Sequence, residues 1–338
     1  MEKYNTAMKK MFPAFRDVVG IDFGTSATKA VRIKAGNSGV RTVVAADVFP
    51  PCPLNGEGGA ETPKFQLPNK LTAWTAAATL SSTGALVKLV GEPKGTTYED
   101  KDIPELLGIS KDSDLRTGMS RIASEEESSV LIVGVPSAEI ARIPPYFTNG
   151  KPVLARAELA GLSALECACD IYGDETVNGC DLVIDFGANV TTLGLFVKKR
   201  PQVIRQFTEG FSTVFKAVKR DFQTDDQTSL DIILSGQVDI GSTLHSALAG
   251  ILRQTGIAVD FAERKTGARL SRIFLSGGFS KCKGLRNEIN AALSIEPELV
   301  NPWKKMTVLR DAVSDNAKET GACFAAATAA AIACLEGK

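Results

Sequence analysis

Two blocks of the chain share one pattern of apolar and polar positions. Val19-Gly20-Ile21 runs into Asp22-Phe23-Gly24-Thr25-Ser26-Ala27-Thr28, and Ala30-Val31-Arg32-Ile33 then resumes the apolar pattern. Leu182-Val183-Ile184 runs into Asp185-Phe186-Gly187-Ala188-Asn189-Val190-Thr191, followed by Leu193-Gly194-Leu195-Phe196-Val197. A short apolar run closed by small residues and followed by a second apolar run predicts a strand, a tight turn and a second strand. The copies lie roughly 160 residues apart, about one domain length. A duplicated hairpin at that spacing predicts two related domains.

The remaining pattern fills in around these hairpins. Pro50 to Pro68 is rich in Pro, Gly and Asn and predicts a loop. Leu71 to Leu89 has helical spacing, broken at Ser81-Ser82-Thr83-Gly84. Tyr98 to Ser128 is charged, with one short helix expected over Ile103–Leu107, and Val130–Val135 reads as a buried strand ending at Pro136. A helix is expected over Ala155–Tyr172. Ser212–Phe222 and Leu230–Thr255 read as mostly helical, Arg272–Ser276 as a strand, and Leu285–Leu293 as a helix. Thr320–Leu335 is an Ala-rich helix, with Glu319 placed to meet its N-terminal dipole.

Length and composition narrow the function classes. The chain has 338 residues, enough for two domains, with 44% hydrophobic and 23% charged residues. Lys+Arg and Asp+Glu both number 39, so no broad basic field favours nucleic acid. The seven cysteines form no CxxC pair, and one histidine, His245, leaves soft-metal sites short of ligands. Scattered thiols in apolar surroundings, Cys167 and Cys169 included, read as small core residues in a reducing compartment. His245 reads as a surface or packed histidine, and Trp74 and Trp303 as packing residues. Met1 to Lys10 has no apolar signal region, and the apolar stretch at Ala322–Leu335 is too short to span a bilayer. Met1, Met8, Met11, Phe12 and Phe15 with Lys9 and Lys10 could form a weak amphipathic anchor, but Pro13 interrupts it, so a packed or disordered leader is expected.

The turns carry candidate chemistry. Asp22 ends a buried strand, where a lone carboxylate is costly and Mg²⁺ with its waters would relieve the cost. Gly24 lets the backbone approach a ligand. Thr25, Ser26 and Thr28 offer N–H groups and hydroxyls to phosphate oxygens, and Lys29 a point charge. A plain strand turn, with Asp22 accepting backbone hydrogen bonds, is the alternative. The second hairpin repeats the set with Asp185, Gly187, Ala188, Asn189, Thr191 and Thr192. A third element, Phe274-Leu275-Ser276-Gly277-Gly278-Phe279-Ser280-Lys281, runs a strand into paired glycines, where a flat ring or ribose could lie on bare backbone. The chain has no Walker A sequence and no GxGxxG.

These three elements, in this order, resemble the phosphate-1, phosphate-2 and adenosine motifs of the actin, sugar kinase and heat-shock chaperone superfamily. Gly20–Lys29, Ala160-Gly161-Leu162, Val183–Thr192, Leu275-Ser276-Gly277-Gly278 and the closing Ala-rich helix resemble its FtsA/PilM branch, and PilM-like type IV pilus assembly proteins most. The resemblance covers nearly the whole chain from about Val18. It implies an α/β, actin-like fold of duplicated ribonuclease H-like domains with a nucleotide cleft. The expected layout is a leader over 1–17, domain I over 18–178 with an irregular insert at about 50–129, domain II over 179–318, and a terminal helix over 319–338 returning to domain I. Implied ligands are ATP and Mg²⁺, the metal held largely through water by Asp22 and Asp185, with Ser276, Gly277, Gly278 and Lys281 at the adenosine. The implied role is a cytoplasmic scaffold at the inner face of the inner membrane that recruits the tail of a PilN-like inner-membrane protein, with at most slow ATP hydrolysis and a possible homo-oligomer. An FtsA-like or filament-forming ATPase and a small-molecule kinase are the alternatives. The Glu/Lys pair that usually faces the adenosine has no counterpart in Gln227–Leu234, which lacks the lysine.

Overall fold

The computed structural model describes residues 15–36, 39–52, 66–123, 128–147, 150–175, 178–319 and 321–337. In chain order the first strands are β1 (Asp17–Phe23), β2 (Thr28–Ala35), β3 (Arg41–Phe49), β4 (Thr75–Leu80) and β5 (Leu86–Glu92). Helix α1 (Ile103–Leu107), β6 (Leu115–Ile122), β7 (Ser128–Pro136), α2 (Ser137–Ile140), β8 (Val153–Leu159) and α3 (Ala160–Tyr172) follow. Then come β9 (Cys180–Phe186), β10 (Thr191–Val197), β11 (Arg200–Phe207), α4 (Phe211–Phe222), α5 (Asp226–Ser235) and α6 (Gly241–Thr266). The last elements are β12 (Leu270–Ser276), α7 (Lys283–Leu293), β13 (Glu298–Leu299), β14 (Thr307–Val308), α8 (Asp315–Glu319) and α9 (Ala325–Glu336).

Two compact units result. The first comprises Met1–Ser81, Arg142–Ile171 and Val300–Lys338; the second comprises Ser82–Ala141 and Tyr172–Leu299. In the first, a six-stranded sheet has the order β14-β3-β2-β1-β4-β8. Strands β3, β2 and β1 are antiparallel neighbours, while β4 joins β1 and β8 joins β4 in parallel. In the second, the sheet β11-β10-β9-β12-β13 repeats the scheme, three antiparallel strands followed by two parallel ones. The repeat seen in the sequence is thus a repeat of sheet topology. A separate three-stranded antiparallel sheet, β5-β7-β6, also belongs to the second unit.

Burial explains how each unit closes. β1, β4 and β9 are buried almost throughout, as central strands covered on both faces should be. The Ala-rich α9 is buried along Ala325–Leu335 and packs with β1, β2 and β4. Gly20 makes this possible, because a Cβ there would stand 1.9 Å from the Ala327 carbonyl oxygen. The corresponding residue of the second hairpin is Val183, which is itself buried.

Several expectations change. Leu71–Leu89 contains β4 and the start of β5, not a helix. Its alanines fit a helix by propensity, but burial on both faces of a parallel strand overrides that preference. The first residues of the segment read as a helix from Ala155 belong to β8, and α3 starts at Ala160. The stretch read as an irregular insert holds the ordered β5-β7-β6 sheet with α1. Most of the Pro50–Pro68 loop and nearly all of the leader fall outside the described residues. Glu319 closes α8 rather than preceding α9. Trp74 is 66% exposed, so it is no core residue, whereas Trp303 packs on Phe324 and donates from Nε1 to Thr328 at 3.2 Å.

Candidate functional site

In the first unit the β1–β2 register sets Asp22 opposite Lys29. Asp22 is 5% exposed, and its carboxylate is not alone as the sequence suggested. One oxygen accepts from Lys29 Nζ at 3.0 Å, and the other accepts from the Thr79 hydroxyl at 2.9 Å. Thr79 sits on β4 directly beside Asp22 and is wholly buried. Sequence reading missed it, because a parallel neighbour 57 positions away leaves no local signal.

The turn between these strands is open to a ligand. Thr25 and Ser26 are exposed, and their N–H groups donate to no protein group among the described residues. A Cβ on Gly24 would lie 2.6 Å from Lys29 Nζ and 2.7 Å from the Ala27 carbonyl, so glycine keeps the turn tight over the lysine. Thr28 points elsewhere: it is fully buried, and its hydroxyl accepts from the Cys52 N–H at 3.0 Å.

The second unit presents the same design with different fixings. Asp185 is buried opposite Thr192 on β10 and beside Ser276 on β12. The two units therefore share a buried carboxylate flanked by a hydroxyl on the adjoining parallel strand, Asp22 with Thr79 and Asp185 with Ser276. The second turn packs against the start of α4. Phe211 and Ser212 donate their N–H groups to the carbonyls of Gly187 and Ala188 at 3.0 and 2.8 Å. Gly210 allows this approach, since a Cβ there would stand 2.5 Å from the Gly187 oxygen.

That packing sorts the predicted donors. The Gly187 N–H is used within the turn, donating to the Val190 carbonyl at 3.0 Å, and the Thr191 hydroxyl donates to the Glu209 carbonyl at 2.7 Å. Asn189 Oδ1 accepts from the Ser212 hydroxyl at 2.6 Å, which leaves the amide nitrogen as its donor group. The N–H groups of Ala188 and Asn189 donate to no protein group among the described residues, matching Thr25 and Ser26. Thr192 is buried.

At the third element the two glycines differ. Gly277 has φ +86°, and a Cβ there would lie 2.3 Å from the Phe186 oxygen, so this glycine is required by contact with β9. Gly278 is exposed with nothing within 4 Å of its would-be Cβ. Ser276 and Ser280 are buried, the latter donating to the Gly277 carbonyl at 2.7 Å, and Lys281 is exposed.

Among the described residues no group of three or more His, Cys, Asp or Glu side chains could hold a metal directly. One carboxylate per turn beside N–H groups that donate to no protein group among the described residues does fit a hydrated Mg²⁺ that keeps its waters and shares phosphate oxygens. Among the described residues no helix is long and apolar enough to cross a membrane. His245 is exposed and meets Glu288 at 2.9 Å, a surface contact.

No protein-family model matches the chain, and no curated protein does. Among solved structures, the chain is similar to one of the PilM-PilN type IV pilus biogenesis complex, with a TM-score of 0.74 at 18% identity over 96% of this chain and 99% of that one. The fold is actin-like. At that identity the likeness concerns the fold. A Bacteroides thetaiotaomicron protein described as having an actin-like ATPase fold has a TM-score of 0.45 at 7% identity, covering 86% of this chain and 92% of that one. The ethanolamine utilization protein EutJ of Carboxydothermus hydrogenoformans has a TM-score of 0.47 at 10% identity, covering 95% and 91%. In this actin-like chain the hairpin turn of each unit is a candidate site.

Proposed function

We propose that this protein binds ATP with Mg²⁺ through its two Asp-Phe-Gly hairpins and acts as a cytoplasmic scaffold of a type IV pilus assembly machine. In this reading it recruits the tail of a PilN-like inner-membrane protein. The observation that carries the nucleotide reading is the matched pair of turns: a buried carboxylate, a flanking hydroxyl on the parallel strand, and two N–H groups without a protein acceptor in each. Thr25, Ser26, Ala188 and Asn189 would hold phosphate oxygens, Lys29 would add charge, and Asp22 and Asp185 would orient the waters of the metal. Gly278 and Lys281 would face the adenosine. Mg²⁺ would neutralise phosphate charge. The partner reading rests on the fold shared with a chain of the PilM-PilN complex.

A ligand that binds only the native state raises stability. Millimolar ATP with Mg²⁺ is therefore expected to raise Tm, and Asp22→Ala with Asp185→Ala to abolish the rise. An unchanged melting curve would remove the nucleotide reading. Pull-down with short cytoplasmic tails of pilus inner-membrane proteins tests the partner reading, and rapid ATP turnover on a sugar would replace the scaffold by a kinase.

A further inference from the structure

The second unit holds a groove of about 790 Å³ between two sheets, away from the hairpin turns. Its walls come from the β5-β7-β6 sheet, from β11 and from the end of α6. Both β5 and β11 are outermost strands of their sheets. At one end Gln206 ties them together, donating from Nε2 to the carbonyls of Ser82 and Ala85 at 3.1 and 3.3 Å. Leu89 and Gly91 of β5 line the groove on one side and Arg200 to Arg205 on the other.

Its chemistry is one-sided. The charged residues that line it are Lys198, Arg200, Arg205 and Lys265, all basic. Lys198 and Arg205 make no ion pair among the described residues and are exposed. Phe261, also on the wall, is 55% exposed, and Ile257 one helical turn before it is 56% exposed. A cationic trough with an apolar rim and unpaired strand edges suits an extended acidic peptide with alternating apolar residues, which can satisfy its backbone on a strand edge.

The hairpin that supplies Lys198 gives a second, independent sign. Lys198 and Lys199 have φ of 49° and 62°, and they link β10 to β11 as a two-residue turn. Both positions favour Asn and Gly, and lysine is strained there. Lys199 pairs with Asp174 at 2.7 Å, whereas Lys198 stands on the groove wall, where the sequence forgoes the turn's preferred residue and gains charge.

We infer that this groove seats an acidic, extended segment of a partner protein, added as a strand along β11 or β5. A concave trough floored by strand edges suits a peptide better than a flat membrane surface, and the chain's zero formal charge disfavours nucleic acid. Neither the nucleotide nor the pilus reading enters this inference.

The probe is a fluorescein-labelled peptide, Glu-Val-Glu-Phe-Glu-Val-Glu-Val, titrated with the full chain at low ionic strength and followed by anisotropy. Saturable binding that weakens with salt is expected, with loss when lysine replaces each glutamate or proline replaces two valines. Lys198→Glu with Arg205→Glu is expected to raise Kd about tenfold or more. Lys198→Asn, which suits the left-handed backbone and leaves the Lys199–Asp174 pair in place, is expected to raise Kd several-fold while leaving Tm equal or higher, a combination that a purely structural turn would not give. No saturable binding, or equal Kd for all variants, overturns the inference. Tighter binding of a single-stranded oligonucleotide or of anionic lipid vesicles than of the peptide also overturns it.

Discussion

The pair formed by Asp22 and Lys29 shows how a buried carboxylate is stabilised. Both side chains are nearly buried, 7% and 13% exposed, and the Thr79 hydroxyl donates to the second carboxylate oxygen. Removing the lysine charge leaves a buried carboxylate held by one hydroxyl. Lys29→Met is therefore expected to cost about 1–3 kcal/mol in urea unfolding, and adding Asp22→Asn should recover part of it because the amide is neutral. A fully additive loss would mean that the two side chains do not couple. The thiols give a pH-dependent expectation. Burial pushes Cys180 up to about 12 and Cys334 up to about 11, and Cys167 higher still; nearby acids add to the shift at Cys180 and Cys167, while Arg156 opposes it at Cys334. These folded values lie above those of the unfolded chain, so the contribution is intact below about pH 8.5 and is lost as pH rises toward 11. Each such thiol adds a slope of about 1.4 kcal/mol per pH unit in that window. Urea titrations at pH 8, 9 and 10 should show falling stability, with a shallower fall in Cys180→Ala with Cys334→Ala.

At the level of elements, what the sequence made legible follows from how local each signal is. The two hairpins were readable because an apolar run, an Asp-Phe-Gly turn and a second run are contiguous, and their candidate donors lie in the same few residues. The partner hydroxyl of Asp22 was not, because Thr79 reaches it through parallel pairing of β4 with β1. β4 itself was misread, since Thr75-Ala76-Ala77-Ala78-Thr79-Leu80 has the composition of a helix and only its position in mid-sheet makes it a strand. Likewise Gly187 and Thr191 looked like ligand donors, but the Gly187 N–H donates to Val190 within the turn and the Thr191 hydroxyl to the carbonyl of Glu209, just before α4. The close approach of α9 to β1 sets the sharpest mutational expectation here. Gly20→Ala places a methyl group against the backbone of Ala327, which neither element can yield without separating. A loss of about 3 kcal/mol or more is expected, whereas Gly256→Ala on α6, with open space around it, should cost nothing and gain up to about 1 kcal/mol. Chemical unfolding of the two variants side by side reads the difference.

For the whole molecule, duplication accounts for most of the architecture. Each unit carries a sheet of three antiparallel and two parallel strands with one acidic turn; the first adds β14 at the edge of that sheet, and the second holds the separate β5-β7-β6 sheet as well. If both turns serve one nucleotide, ligand stabilisation is large: about 2.7 kcal/mol at a concentration one hundred times Kd. Differential scanning calorimetry across an ATP series should then show Tm climbing with the logarithm of concentration, and each single Asp variant should lower the climb. A rise that survives in both single variants and in the double variant would place the nucleotide elsewhere.

The burial of α9 against β1 also bears on synthesis. The strand that opens the first unit emerges from the ribosome roughly 300 residues before the helix that covers it, at a rate that leaves it waiting for tens of seconds. Its sheet stays uncapped throughout that interval, while every strand and helix of the second unit has already been made. Nascent chains stalled just short of Ala325 are accordingly expected to be held by chaperones or lost to proteases, and release past Glu336 to be the moment at which the first unit becomes a folded object.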